Sequence, residues 1–150
     1  MIKQIILAFF GSMFPVILFN IDRKKIIWAG LCGAIGWATY ILVFNYKSSI
    51  GMASFAGAFT VGIYSEFMAR KLRTPSIQFS IPGIFPLVPG IIAYKAINYI
   101  VEQNYSAAYF KGIQIIVAGG AIGFGIMLST TTFSFISKLI KQKKRVNLKS

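Results

Sequence analysis

Glu66 is the only acidic residue that falls inside an apolar segment of this chain; Asp22 and Glu102 lie between segments. An ionisable group at membrane depth marks a gate, a proton relay or a substrate contact by default. A helix-end ion pair with Arg70, four residues on, is its structural alternative. The second charged candidate is Lys95, five residues past Gly90, which either meets a carboxylate in a cavity or snorkels to the surface. Between these two charges lies Pro82-Gly83-Ile84-Phe85-Pro86-Leu87-Val88-Pro89-Gly90. Its three prolines remove three backbone donors and clash with the preceding turn. In hydrocarbon, free backbone groups persist only against protein or a wet cavity, and a broken helix at mid-membrane is a common way to build a transport site. A plain kink is the simpler reading, but three prolines exceed what a kink needs. A half-helix starting at Gly90 would offer N–H groups and a positive dipole end to an anion. Ser80 and the carbonyls freed around Pro82 and Pro86 would take an ammonium or hydroxyl group. The expected substrate pathway is therefore Glu66, Ser80, Pro82, Gly83, Pro86, Pro89, Gly90 and Lys95.

Enzyme chemistry has no foothold. The chain has no histidine, one cysteine and three carboxylates. That leaves no metal cluster, paired carboxylates or phosphate-cradling loop, so no catalytic residue, metal or cofactor is expected. A lone Cys32 cannot form an internal disulfide and reads as a small buried apolar residue.

These candidates must be positioned by membrane helices. Of 150 residues, 56% are hydrophobic, in long apolar runs split by short basic clusters, the pattern of a polytopic membrane protein. The net charge of +13 flanks the apolar runs and forms no stripe with exposed aromatics, which argues against nucleic acid. With about 20 residues per span, the expected spans are residues 3–21, 26–44, 49–69, 75–99 and 111–135. The fold class expected is all-α integral membrane, about five transmembrane helices with the fourth broken by the Pro-Gly motif. Residues 1–137 form one bundle and residues 138–150 a basic cytoplasmic tail suited to anionic lipids. The first segment is read as a span, not a cleaved signal, because no small-x-small site follows it and Arg23-Lys24-Lys25 looks like a stop.

Small residues recur at every fourth position: Gly30, Ala34 and Ala38; Ser54, Ala58 and Gly62; Gly119 and Gly123. Such stripes let helix backbones approach, as static packing or as faces that slide during alternating access. The basic residues set orientation. Twelve of sixteen fall after the first span, after the third span and in the tail. Five crossings put all twelve on one side, the cytoplasm, with the N-terminus outside and the C-terminus inside. A re-entrant fourth segment would strand the tail's charges outside.

Ala69-Arg70-Lys71-Leu72-Arg73-Thr74-Pro75 followed by Ile81 to Gly90, with Tyr64-Ser65-Glu66 before them, resembles the signature of the threonine/serine exporter family. Pro86 to Gly90 is its most specific part. In length and layout the chain resembles the small five-span protein that corresponds to the C-terminal half of the fused exporters. The resemblance implies export of small hydroxy amino acids across the plasma (inner) membrane, coupled to an ion gradient, with a larger partner subunit supplying the other half. In some two-component relatives it implies a dicarboxylate such as succinate instead. A holin-like pore-forming protein is the rival reading, and leaves the proline break without a purpose.

Overall fold

The computed structural model describes the backbone of residues 1–147 and the side chains of residues 1–137. Among the described residues the chain is helical throughout, with no strand. The helices are α1 (Ile2–Leu18), α2 (Ile26–Lys47), α3 (Ile50–Leu72), α4 (Ile77–Ile84), α5 (Gly90–Val101) and α6 (Tyr105–Asn147). Helix α2 and the first part of α6 are each long and apolar enough to cross a membrane. Together α4 and α5 form a third such stretch, bent by 46°. Helix α1 has 17 residues, and α3 carries Ser54, Thr60, Ser65 and Glu66 along its length, which lowers its hydropathy.

Helix ends are set by local chemistry. The Ser49 hydroxyl accepts from the N–H of Met52 at the start of α3, and Asn104 Oδ1 from the N–H of Ala107 at the start of α6, satisfying amides that no helical carbonyl reaches. Asn20, Ser48, Arg73 and Gln103 follow α1, α2, α3 and α5 and hold φ between 51° and 57°, the left-handed stop usually given to glycine. Helix α6 starts earlier than the fifth expected span and runs on through the first part of the expected tail. After Gly125 no glycine or proline occurs, and Lys, Gln and Arg are good helix formers. The side chains of the tail, residues 138–150, lie outside the described residues.

Packing fixes the direction of each helix. Val16 packs with Ala29 in one cluster, while Ala8 and Gly11 share a cavity wall with Trp37, so α1 and α2 are antiparallel. Gly36 meets Val61 while Cys32 bonds Ser65, so α2 and α3 are antiparallel too. Gly51 meets Val117, Gly62 meets Ser129, and Arg70 lies 4.3 Å from the Phe133 ring centre. Helices α3 and α6 therefore run parallel. The chain must return the length of the bundle between them, and the α4–α5 pair makes that return. Lys25 Nζ donates to Gln78 Oε1 at 2.9 Å, and Lys71 sits 5.3 Å from the Trp28 ring centre. The two basic connections, Arg23–Lys25 and Arg70–Arg73, thus share one end of the bundle.

The core is thin and made of small residues. Cys32, Ala58, Val61, Leu87 and Ile122 form one cluster, and Val16, Ala29, Met68 and Phe79 another. Gly30, Ala34, Ala58 and Gly62 all face the interior. A side chain at Gly62 would run into Ser129. Gly119 and Gly123 do not: both are exposed, with nothing within 4 Å of a Cβ built there. The packing edge of α6 is instead Ala118, Ile122, Gly125 and Ser129, a spacing of four, three and four residues that keeps one helical face toward α3. The expectation that Gly119 and Gly123 pack helices is corrected within this chain, because that face turns away from α3.

Candidate functional site

The helix break lies later than the prolines alone suggest. Helix α4 continues through Pro82 and Gly83 to Ile84, and Phe85–Leu87 form a 3-10 turn. A proline near a helix end removes only one bond, and the tighter turn recovers another through the Phe85 N–H, which donates to the Pro82 carbonyl. The extended residue is Val88, with ψ 128°, as expected before a proline. Pro89 then caps α5 without a side-chain bond. The N–H of Ala93 donates to the Pro89 carbonyl at 3.0 Å, and that of Gly90 to Val88 at 2.8 Å. The N–H groups of Ile91 and Ile92 have no backbone acceptor, the usual state of a helix's first turn.

Helix α4 is held firmly, and α5 is not. Phe79, Pro82 and Gly83 are buried, whereas α5 buries only Ala96. A Cβ at Gly83 would lie 2.6 Å from Cys32 Sγ and 2.9 Å from Val61 Cγ1. The absence of a side chain at Gly83 is thus what lets α4 seat against α2 and α3. Cys32 Sγ lies 3.5 Å from Ser65 Oγ, whose hydroxyl donates to the Val61 carbonyl at 2.7 Å. On the other side of the break, Ser12 and the Pro86 ring converge on Gly33. The Ser12 hydroxyl is buried and has no partner among the described residues.

A cavity of about 200 Å³ opens at the break itself. Pro86, Leu87, Val88, Pro89 and Gly90 form one wall, and Ile91 and Ile92 bring the free amide end of α5 to it. Trp37 and Tyr40 come from α2, Ile50 and Ser54 from α3, and Ala118 from α6. The two aromatic rings stack at 4.9 Å, nearly parallel. Ser54 is 1% exposed, so its hydroxyl is a buried polar group on an otherwise mostly apolar wall. A second cavity of about 360 Å³ lies on the α1 side, lined by Gln4, Leu7, Ala8 and Gly11. Trp37, Pro86 and Ile91 line both cavities and so form the partition between them. The wall thus combines residues whose amides lack a backbone acceptor, a buried hydroxyl and an aromatic pair, around a volume below the ~300–1,000 Å³ of drug-sized sites.

Of the residues expected from sequence, Pro86, Pro89 and Gly90 line this cavity. Pro82 and Gly83 lie in the packed core beneath it. Ser80, Glu66 and Lys95 are not among its lining residues. Lys95 is exposed on α5, one turn beyond Ile91 and Ile92 and on their side of the helix, and does not reach the cavity lining. Glu66 is half-buried, and the expected pair with Arg70 does not form, since the Arg70 guanidinium lies on Phe133. Among the described residues the only ion pair is Lys25 with Asp22, at 4.0 Å. Trp37, Tyr40 and Ile92 were missed as site residues. Ser54 carried a faint signal as the first position of its small-residue stripe.

The family described as "Threonine/Serine exporter, ThrE" matches residues 4–132. An uncharacterized protein of Haemophilus influenzae is 26% identical over 125 residues, 78% of this chain and 42% of its own length. A threonine/serine exporter of Corynebacterium glutamicum is 27% identical over 127 residues, 84% of this chain and 25% of its own length. The chain thus spans less than half the length of these two relatives. No solved structure matches it. With the match running from α1 through most of α6, and across the whole broken helix, the chain belongs to the threonine/serine exporter family.

Proposed function

We propose that this chain is the small subunit of an export carrier for threonine- and serine-like amino acids, and that the cavity at the helix break is its substrate site. The observation that carries the reading is that Pro86 to Gly90, the stretch that resembles the exporter signature in sequence, forms one wall of a cavity at the helix break, inside the family match. The substrate carboxylate sits against the amides of Ile91 and Ile92, where the positive end of α5 favours an anion. Ser54 and Tyr40 accept or donate to the hydroxyl and ammonium groups. Trp37, Pro86 and Ile91 act as the partition between the two cavities, so movement of the loosely packed α5 would join or separate them. Glu66, half-buried near the basic end, is the candidate for a gate or ion-coupling contact. Lys95 reaches the interface by snorkelling.

Five crossings are supported by the alternating directions of the helices and by the gathering of Arg23–Lys25 and Arg70–Arg73 at one end. The positive-inside rule makes that end cytoplasmic, leaving the N-terminus outside and the tail, with its attraction for anionic lipids, inside. A larger family subunit completes the carrier. The thin bundle and the greater length of the relatives favour this, because transporter sites generally lie between two repeats. A dicarboxylate such as succinate would use the same amides and remains the alternative cargo.

Proteoliposomes holding this chain, with and without the larger subunit, test the reading. Exchange of labelled threonine or serine is expected only with both subunits. Succinate exchange in its place would reassign the cargo. Leakage of an entrapped dye from vesicles holding this chain alone would instead support a pore and overturn the proposal.

A further inference from the structure

A wide apolar groove lies away from the helix break. It has a volume of about 760 Å³ and is lined by Leu42, Val43, Met52, Phe55, Ala56 and Phe124, with Gly51 toward one end. Its polar lining is confined to Tyr46 and Lys47, at the end of α2. The Lys47 ammonium is exposed, and among the described residues it forms no ion pair. The ammonium lies 5.8 Å from the centre of the Tyr46 ring. The floor runs from Lys47 back to Leu42 and from Gly51 to Ala56. Five residues of helix at about 1.5 Å each give a channel roughly 8 Å long, the length of the upper part of an acyl chain.

We propose that this groove holds one acyl chain of an anionic phospholipid, with the phosphate at Lys47. The charge pattern selects this occupant. A transmembrane helix seated here would meet the bulky Phe55 and Phe124 rings, whose centres lie 6.0 Å apart, where helix pairing wants small residues. It would also leave Lys47 unpaired beside an apolar surface. A phospholipid satisfies both ends: tail against the apolar floor, phosphate against the ammonium. The first turn of α3 adds to the same end, since Gly51 is one of its residues and lines the groove. Lipid tails are as apolar as the groove, so burying the tail discriminates little between lipids. Selectivity must come from the head group.

The test uses the full chain in nanodiscs with photoreactive phospholipids carrying a diazirine in the acyl chain. Phosphatidylglycerol and phosphatidylcholine of identical tails are compared, and adducts are mapped by peptide mass spectrometry. Adducts are expected to concentrate between Leu42 and Ala56, about fivefold more for phosphatidylglycerol, the preference one lysine near the surface confers. Lys47→Gln should bring that ratio to one while leaving the adducts in the groove. Lys3→Gln, at the same end of the bundle, should leave the ratio unchanged. Ala56→Trp, which fills the floor, should remove the groove adducts. Adducts spread evenly over other exposed apolar faces such as α1 would overturn the proposal. So would a glycerol preference that survives Lys47→Gln.

Discussion

Gly83→Ala tests how the broken helix is seated. In isolation the change should help, because alanine is favoured over glycine inside a helix by about 0.8–1.0 kcal/mol. The structure opposes that gain. The new methyl would lie 2.6 Å from Cys32 Sγ and 2.9 Å from Val61 Cγ1, and overpacking of this kind costs about 1–3 kcal/mol. The net effect should be a loss of up to about 2 kcal/mol, with the range set by these two terms. Cys32→Ala removes the nearer obstacle, and the remaining contacts, Val61 Cγ1 at 2.9 Å and Cys32 Cβ at 3.4 Å, are less severe. The buried Val61 must still give way, so in the double variant the methyl should cost less without becoming free, giving a coupling of about 1 kcal/mol for residues in contact. Reversible unfolding of the four proteins in mixed micelles measures this cycle. Energies that add to within about 0.5 kcal/mol would show that Gly83 does not seat α4 on Cys32. The wall of the cavity would then need another anchor.

Three further outcomes follow from the same geometry. Ser54→Ala should weaken apparent substrate affinity roughly fivefold, the worth of one hydrogen bond of about 1 kcal/mol, with expression unchanged; unaltered exchange kinetics would remove Ser54 from the site. Lys95→Met should leave affinity within about twofold, since Lys95 is exposed outside the cavity; a loss of the ten- to hundredfold size typical of a charge-assisted contact would move the substrate to the outer face of α5. With Cys32 replaced, a cysteine introduced by Asn147→Cys should resist an impermeant thiol reagent added outside intact cells and react after permeabilisation; labelling from outside would invert the topology.

Much of this protein was legible before folding. Apolar runs punctuated by basic clusters gave the helical membrane class, and Pro82 to Gly90 announced an interrupted helix. Pro86, Pro89 and Gly90, singled out by their backbone chemistry, line the cavity at the break. Other features needed the fold. In a membrane chain both the lipid-facing and the core-facing sides of a helix are apolar, so periodicity does not tell which side is inside. That is why Gly119 and Gly123 matched a packing motif as well as Gly62 does, although only Gly62 meets a neighbouring helix. The point of interruption was also tertiary. Burial of Phe79, Pro82 and Gly83 against α2 and α3 carries α4 past its first proline, and the chain departs from helical form at Val88. The charged residues drew attention because they are rare, yet neither Glu66 nor Lys95 lines the cavity. The cavity is assembled from α2, α3, the broken segment and α6, with lining residues spread from Trp37 to Ala118, and these are joined only because α3 and α6 run parallel with the broken helix returning between them.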